Sequence, residues 1–186
     1  MDVFISKHIE PSTPGGAGTR VWQTFLGGTS DDNNIAMQMG LDGYIYMAAY
    51  TSSDLAKTYG TGFTAGGWTQ RTTLTNTLTQ AAIIKLDRDG NGALVREVGS
   101  VTNNYRFWAS DIRLLKTGVS TYELLFAGYV TQPASVSVAD GDFPAPNTPS
   151  GAFKTQPATA KKNAILMRIN TNFDTIAWIR KIASDT

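Results

Sequence analysis

Apolar and polar residues alternate with a period of two in nearly every patterned stretch of this chain, which is the mark of half-buried β-strands and not of helices. Ile35, Met37 and Met39 alternate with Ala36 and Gln38, and Ile165, Met167 and Ile169 alternate with Leu166 and Arg168. The best helical candidate is residues 107–115. There Trp108, Ser110, Ile112 and Leu114 alternate with Ala109, Asp111 and Arg113, so this stretch too reads as a strand. Turn chemistry separates the runs: Asp42-Gly43 follows 35–39, Asp89-Gly90-Asn91-Gly92 follows 83–86, and Lys116-Thr117-Gly118 follows 108–115. Asp-Gly tolerates the positive φ of a tight hairpin, so the chain is predicted to proceed as successive antiparallel hairpins, an all-β meander.

The hairpins repeat. VFISKHIE from Val3, AIIKLDRDG from Ala82 and ILMRINTNF from Ile165 carry a basic residue in register: Lys7, Lys85 and Arg168. Each is followed by a second strand, WQTFLGG from Trp22, LVREVGS from Leu94 and WIRKIAS from Trp178. YIYMAAYTSS and LLFAGYVTQ superpose Tyr50 on Tyr129, and the separations agree: 85 − 7 = 78, 168 − 85 = 83 and 129 − 50 = 79. A repeat of four strands, with its spare length in residues 53–79 and 133–163, predicts the blade of a β-propeller. With the basic hairpin as half A and the other as half B, the chain reads A-B-A-B-A, in repeat units 2–79, 80–162 and a partial unit 163–186. That predicts one incomplete propeller segment of about two and a half four-stranded antiparallel blades. A self-contained β-sandwich built from the same hairpins is the alternative.

These motifs resemble the SBBP-type β-propeller repeat of bacterial and archaeal surface or secreted proteins. DVFISKH at 2–8, WQTFLGGTSDD at 22–32, LDGYIYMAAYTSSD at 41–54 and DFPAPNTPSGAF at 142–153 keep the family's order of elements. That order is a D-A-F-V-A-K-L strand, a W-S-T-Y-L-G-G strand, an acidic turn, a G-N-I-Y-V-T-G hairpin and a D-F-P loop. The second unit has V-T-N-N-Y-R where the first has its acidic pair. The resemblance implies a propeller fold at a cell surface or outside the cell. Propellers close with about four to eight blades, and each blade face needs a neighbour, so two and a half blades imply obligatory contact with other protein chains, further blades of a longer chain, or other copies. The start at Met1, directly before the first strand, fits a cut segment or a virion-type protein made without a leader.

Composition agrees with strands: 24 Thr and 18 Gly stand in 186 residues, and charged residues are only 17%. Sixteen Lys and Arg against 15 Asp and Glu offer no basic face for nucleic acid. No apolar run approaches the roughly 20 residues of a membrane-spanning helix. The absence of cysteine removes disulfides, thiolate metal sites and cysteine nucleophiles.

Candidate chemistry is sparse. No P-loop, nucleophile elbow or H-E-x-x-H is present, and His8 is the only histidine, so catalysis has no visible seat and no cofactor is expected. His8 stands where the other units carry Leu86 and Ile169, which reads as a substitution at an apolar position. Residues 87–92 open like a D-x-D-x-[DN]-G calcium loop, but position twelve is Val98, so a structural turn competes with a cation site. Asp31-Asp32-Asn33-Asn34 is a second acidic cluster, which reads as a solvated turn capping the next strand in preference to a cation or general-acid site, and Lys161-Lys162 reads as a solvated loop end. Trp22 and Trp178 are expected to pack between blades. Trp68, with Tyr59 and Phe63 in the long loop, is the candidate binding patch, able to stack on a glycan, anchor a partner or fold back over its own blade. The function expected is non-catalytic and structural or adhesive, mediating protein–protein contacts, with a lectin-like carbohydrate binder as the alternative.

Overall fold

The computed structural model describes residues 3–26, 32–51, 69–70, 80–98, 106–131 and 162–183. Every regular element among them is a strand: β1 (Val3–Ile9), β2 (Thr19–Leu26), β3 (Asp32–Met39), β4 (Ile45–Thr51), β5 (Thr69–Gln70), β6 (Gln80–Leu86), β7 (Gly92–Val98), β8 (Arg106–Lys116), β9 (Tyr122–Thr131), β10 (Lys162–Asn170) and β11 (Ile176–Ala183). They form three sheets. Sheet I is β1-β2, sheet II is β3-β4-β6-β7 with the two-residue β5 added parallel to β7, and sheet III is β8-β9-β10-β11. The long strands pair antiparallel with their neighbours in sequence, so sheets II and III are four-stranded meanders. Each of these two sheets begins with half B, and the two-stranded remainder lies at the N-terminal end, so the sheets start one hairpin later than the unit read from the sequence.

The internal repeat is visible in the bulges. Lys7 faces Trp22 while His8 faces Arg20, leaving Val21 extra; Lys85 faces Leu94 while Leu86 faces Gly92, leaving Ala93 extra; Arg168 faces Trp178 while Ile169 faces Ile176, leaving Ala177 extra. Half B has its own bulge, at Ile35 in β3 and at Ser110 in β8. A single inserted residue moves every following side chain to the other face. Residues 107–115 are indeed a strand, but the bulge at Ser110 overturns the simple alternation: Phe107, Ala109 and Ile112 are buried on one face, and Trp108 does not share the face of Ile112.

Sheets I, II and III are joined by two apolar layers. Between sheets II and III lie Tyr46, Ala48, Ala81 and Ile83 on one side and Phe107, Ile112, Phe126, Ile165, Met167 and Phe173 on the other. Between sheets I and II lie Val3 and Ile5 against Met47, Ile84, Leu86 and Val95, with Trp22 packed on them. β4 and β6 therefore bury both faces, which explains their nearly continuous apolar runs. Left-handed residues sit in the β3–β4, β6–β7 and β10–β11 turns: Gly43 and Gly90 at φ +84° and, unusually, Phe173 at φ +59°.

Candidate functional site

The basic residue of half A locks one sheet to the next. Lys7 Nζ donates to the carbonyl of Arg88 at 3.1 Å, and Trp22 Nε1 donates to the same oxygen at 3.0 Å. Arg88 lies in the β6–β7 turn, three residues past Lys85. At the next junction Lys85 Nζ donates to the carbonyl of Thr171 at 3.2 Å, and Thr171 lies three residues past Arg168. The clamp therefore recurs between successive A hairpins.

The electrostatics of the buried copy follow from its surroundings. The Lys85 ammonium sits 4.0 Å from the centre of the Tyr44 ring and 5.5 Å from that of Tyr46. Burial pushes its pKa below the ordinary lysine value, against the pull of the Asp42 carboxylate. The Tyr46 hydroxyl donates to Asp42 Oδ2 at 2.6 Å, and burial together with this anionic acceptor holds the phenol far above its usual range. In the third unit Arg168 is ion-paired instead with Glu123, which occupies the place of Tyr44 (123 − 44 = 79).

Beside the first junction is a groove of about 260 Å³ between β1 and β3, walled by Ile5, Lys7, Trp22, Met37, Met39 and Ile45, with Ser6 and His8 also lining it. Met37 and Met39 share one strand face, as the alternation predicts, but that face is open: they are 56% and 66% exposed. Their counterparts in sheet III are covered. Met37 pairs across the hairpin with Met47 and Met39 with Ile45, as Ile112 pairs with Phe126 and Leu114 with Leu124. Ile112 is fully buried and Leu114 partly buried, because β3 and β4 pack against β8 and Gln38 Oε1 accepts the Leu114 N–H at 2.6 Å. Sheet I has no B hairpin among the described residues to do the same for β3.

The other sequence candidates are dispersed. His8 is exposed at the groove rim with Nε2 3.1 Å from Ser6 Oγ, whereas Leu86 and Ile169 at its counterpart positions are fully buried. Trp22 does pack between two sheets. Trp178 is half-buried, with the Arg180 guanidinium 5.7 Å from its ring. Asp32 contributes its backbone to β3, opposite Thr51. Asp31, Tyr59, Phe63, Trp68 and Lys161 lie outside the described residues. The exposed Met37–Met39 face was not foreseen.

Residues 87–92 form a tight turn. Asp87 Oδ1 accepts the N–H groups of Asp89 and Asn91, each at 2.9 Å, and Oδ2 accepts from the Asn91 amide at 3.0 Å. Among the described residues no three His, Asp or Glu side chains gather where a metal ion could be held. Partial burial pushes the Asp87 carboxyl up, but these hydrogen bonds outweigh it and leave the pKa below its ordinary 3.8. A carboxyl depressed in the folded state contributes stability that is fully present above pH 3.8 and is lost as the pH falls through the folded value. Asp87→Asn should therefore flatten the acid limb of a stability-against-pH profile below about pH 4, read as urea midpoints at pH 3 and pH 7. An unchanged acid limb would show that the turn does not depend on the charge.

Comparison with protein-family models and with curated proteins finds no match for this chain. Among the described residues no helix is long and apolar enough to cross a membrane.

Proposed function

We propose that the chain is a non-catalytic structural segment of an incomplete β-propeller, whose role in a surface, secreted or virion assembly is to hold other polypeptides against its open faces. The observation that carries this reading is the contrast between equivalent positions: Ile112 is sealed between two sheets while Met37 is 56% exposed beside a groove. The outer side of the opposite end is similarly unfinished. Leu125, Ala127 and Leu166 stand 79, 79 and 83 residues after Tyr46, Ala48 and Ile83, which are fully buried, yet are themselves only half-buried. Apolar faces and strand edges of this kind are covered in stable proteins. The reading also fits the SBBP-type motifs and the recurring clamp.

The test is the solution mass of the full chain by light scattering across a concentration series. A defined oligomer, or association that grows with concentration, is the expected result. A strict monomer with a single cooperative unfolding transition would replace this reading with a self-contained fold.

A further inference from the structure

Three features of the first junction converge on one occupant, and the argument rests on the interaction role proposed above. First, β6 and β10 are each hydrogen-bonded on both sides, to β4 and β7 and to β9 and β11, whereas β1, their counterpart, is paired only with β2 among the described residues. Second, Met37 and Met39 form an exposed wall where Ile112 and Leu114 are covered by the β3–β4 hairpin. Third, Lys85 and Arg168 each receive a partner from the hairpin beside them, the Tyr44 ring and the Glu123 carboxylate, while Lys7 lines the groove and donates its ammonium to the Arg88 carbonyl of the β6–β7 turn. The second junction thus shows, within the same molecule, what covers the first.

We infer that the groove between β1 and β3 is the seat of a two-stranded β-hairpin from a partner polypeptide, which pairs antiparallel through its second strand with the edge of β1 that is unpaired among the described residues, and lays its inner face over Met37 and Met39. The two hairpins of this type among the described residues are already bonded to β6 and β10 and are not available. The chemistry of the partner follows from the copies. Its inner face carries small and aromatic residues like Ala36, Tyr46 and Ala48, and the residue nearest Lys7 is aromatic or acidic, as Tyr44 and Glu123 are. Main-chain hydrogen bonds along β1 supply affinity and the groove supplies register.

The probe is a synthetic peptide of residues 32–51 added to the full-length, ¹⁵N-labelled chain, followed by calorimetry and by peroxide oxidation of the chain's methionines. Saturable binding is expected, with oxidation of Met37 and Met39 slowed at least fivefold and the already buried Met47 unchanged. Met37→Lys together with Met39→Lys, on an exposed face, should leave the circular dichroism unaltered and weaken peptide binding at least tenfold. Absence of saturable binding overturns the inference. So does binding that leaves Met37 and Met39 as reactive as in the chain alone, or Met37 and Met39 as unreactive as Met47 before any peptide is added, which would mean that the chain itself or a second copy fills the groove. An oligomer whose Met37 and Met39 remain reactive would remove the hairpin and leave the proposed interaction role standing, whereas a strict, cooperative monomer would remove that role first.

Discussion

Phe173→Ala should lower the unfolding free energy by about 3–5 kcal/mol, the usual cost of emptying a phenylalanine site in a core. Phe173 is fully buried and meets Tyr46 edge-on at 6.4 Å, so its ring closes the layer between sheets II and III from the turn side. Its φ of +59° is a conformation that β-carbon sterics disfavour by roughly 1–2 kcal/mol outside glycine, so the burial of the ring sustains a strained backbone. The two effects separate in a second variant. Phe173→Gly also loses the ring but relieves the backbone, and should be about 1 kcal/mol more stable than Phe173→Ala. Urea denaturation followed by far-ultraviolet circular dichroism measures both. A loss below 1 kcal/mol in the alanine variant, or a glycine variant less stable than it, would contradict the account of this turn. With domain stabilities of about 5–15 kcal/mol, the expected loss is a large part of the whole.

Gly90→Ala should be the more disruptive of a matched pair of glycine substitutions. Gly90 and Gly43 share φ +84°, so alanine at either meets the same backbone penalty of about 1–2 kcal/mol. At Gly43 the added methyl reaches open space, whereas at Gly90 it would come within 2.7 Å of the Trp22 ring. That ring cannot retreat without giving up the hydrogen bond of Trp22 Nε1 to the Arg88 carbonyl. Overpacking and the strained bond add about 1–3 kcal/mol at Gly90 alone, concentrated on the docking of sheet I. The expected result is a larger stability loss for Gly90→Ala than for Gly43→Ala, accompanied by a shift in tryptophan emission. Equal losses in the two variants, with emission unchanged, would show that Trp22 does not rest on this turn.

Much of the architecture was legible because it depends on short-range signals. Asp42-Gly43 and Asp89-Gly90 marked hairpins, and the spacing of Lys7, Lys85 and Arg168 marked equivalent strands; all three carry the same bulge, and Lys7 and Lys85 donate to equivalent turn carbonyls, of Arg88 and Thr171. The bulges themselves were not legible, since one extra residue such as Ser110 or Val21 leaves composition and strand propensity unchanged while reversing which side chains are buried. Phe173 was equally opaque: nothing local distinguishes it as the counterpart of Gly90, and only packing against Tyr46 makes a left-handed phenylalanine tolerable. The groove escaped for another reason. A Met-x-Met alternation reports that two residues share a face, not whether a neighbouring strand pair exists to cover it.

The acceptor in each sheet-to-sheet clamp is a main-chain oxygen, of Arg88 in one case and of Thr171 in the other. An arginine and a threonine serve equally because neither side chain takes part. The residue at the acceptor position can therefore differ between copies, as Arg88 and Thr171 do, while the joint keeps its hydrogen bond. A change of side chain at that one position calls for no compensating change in the strand whose lysine donates.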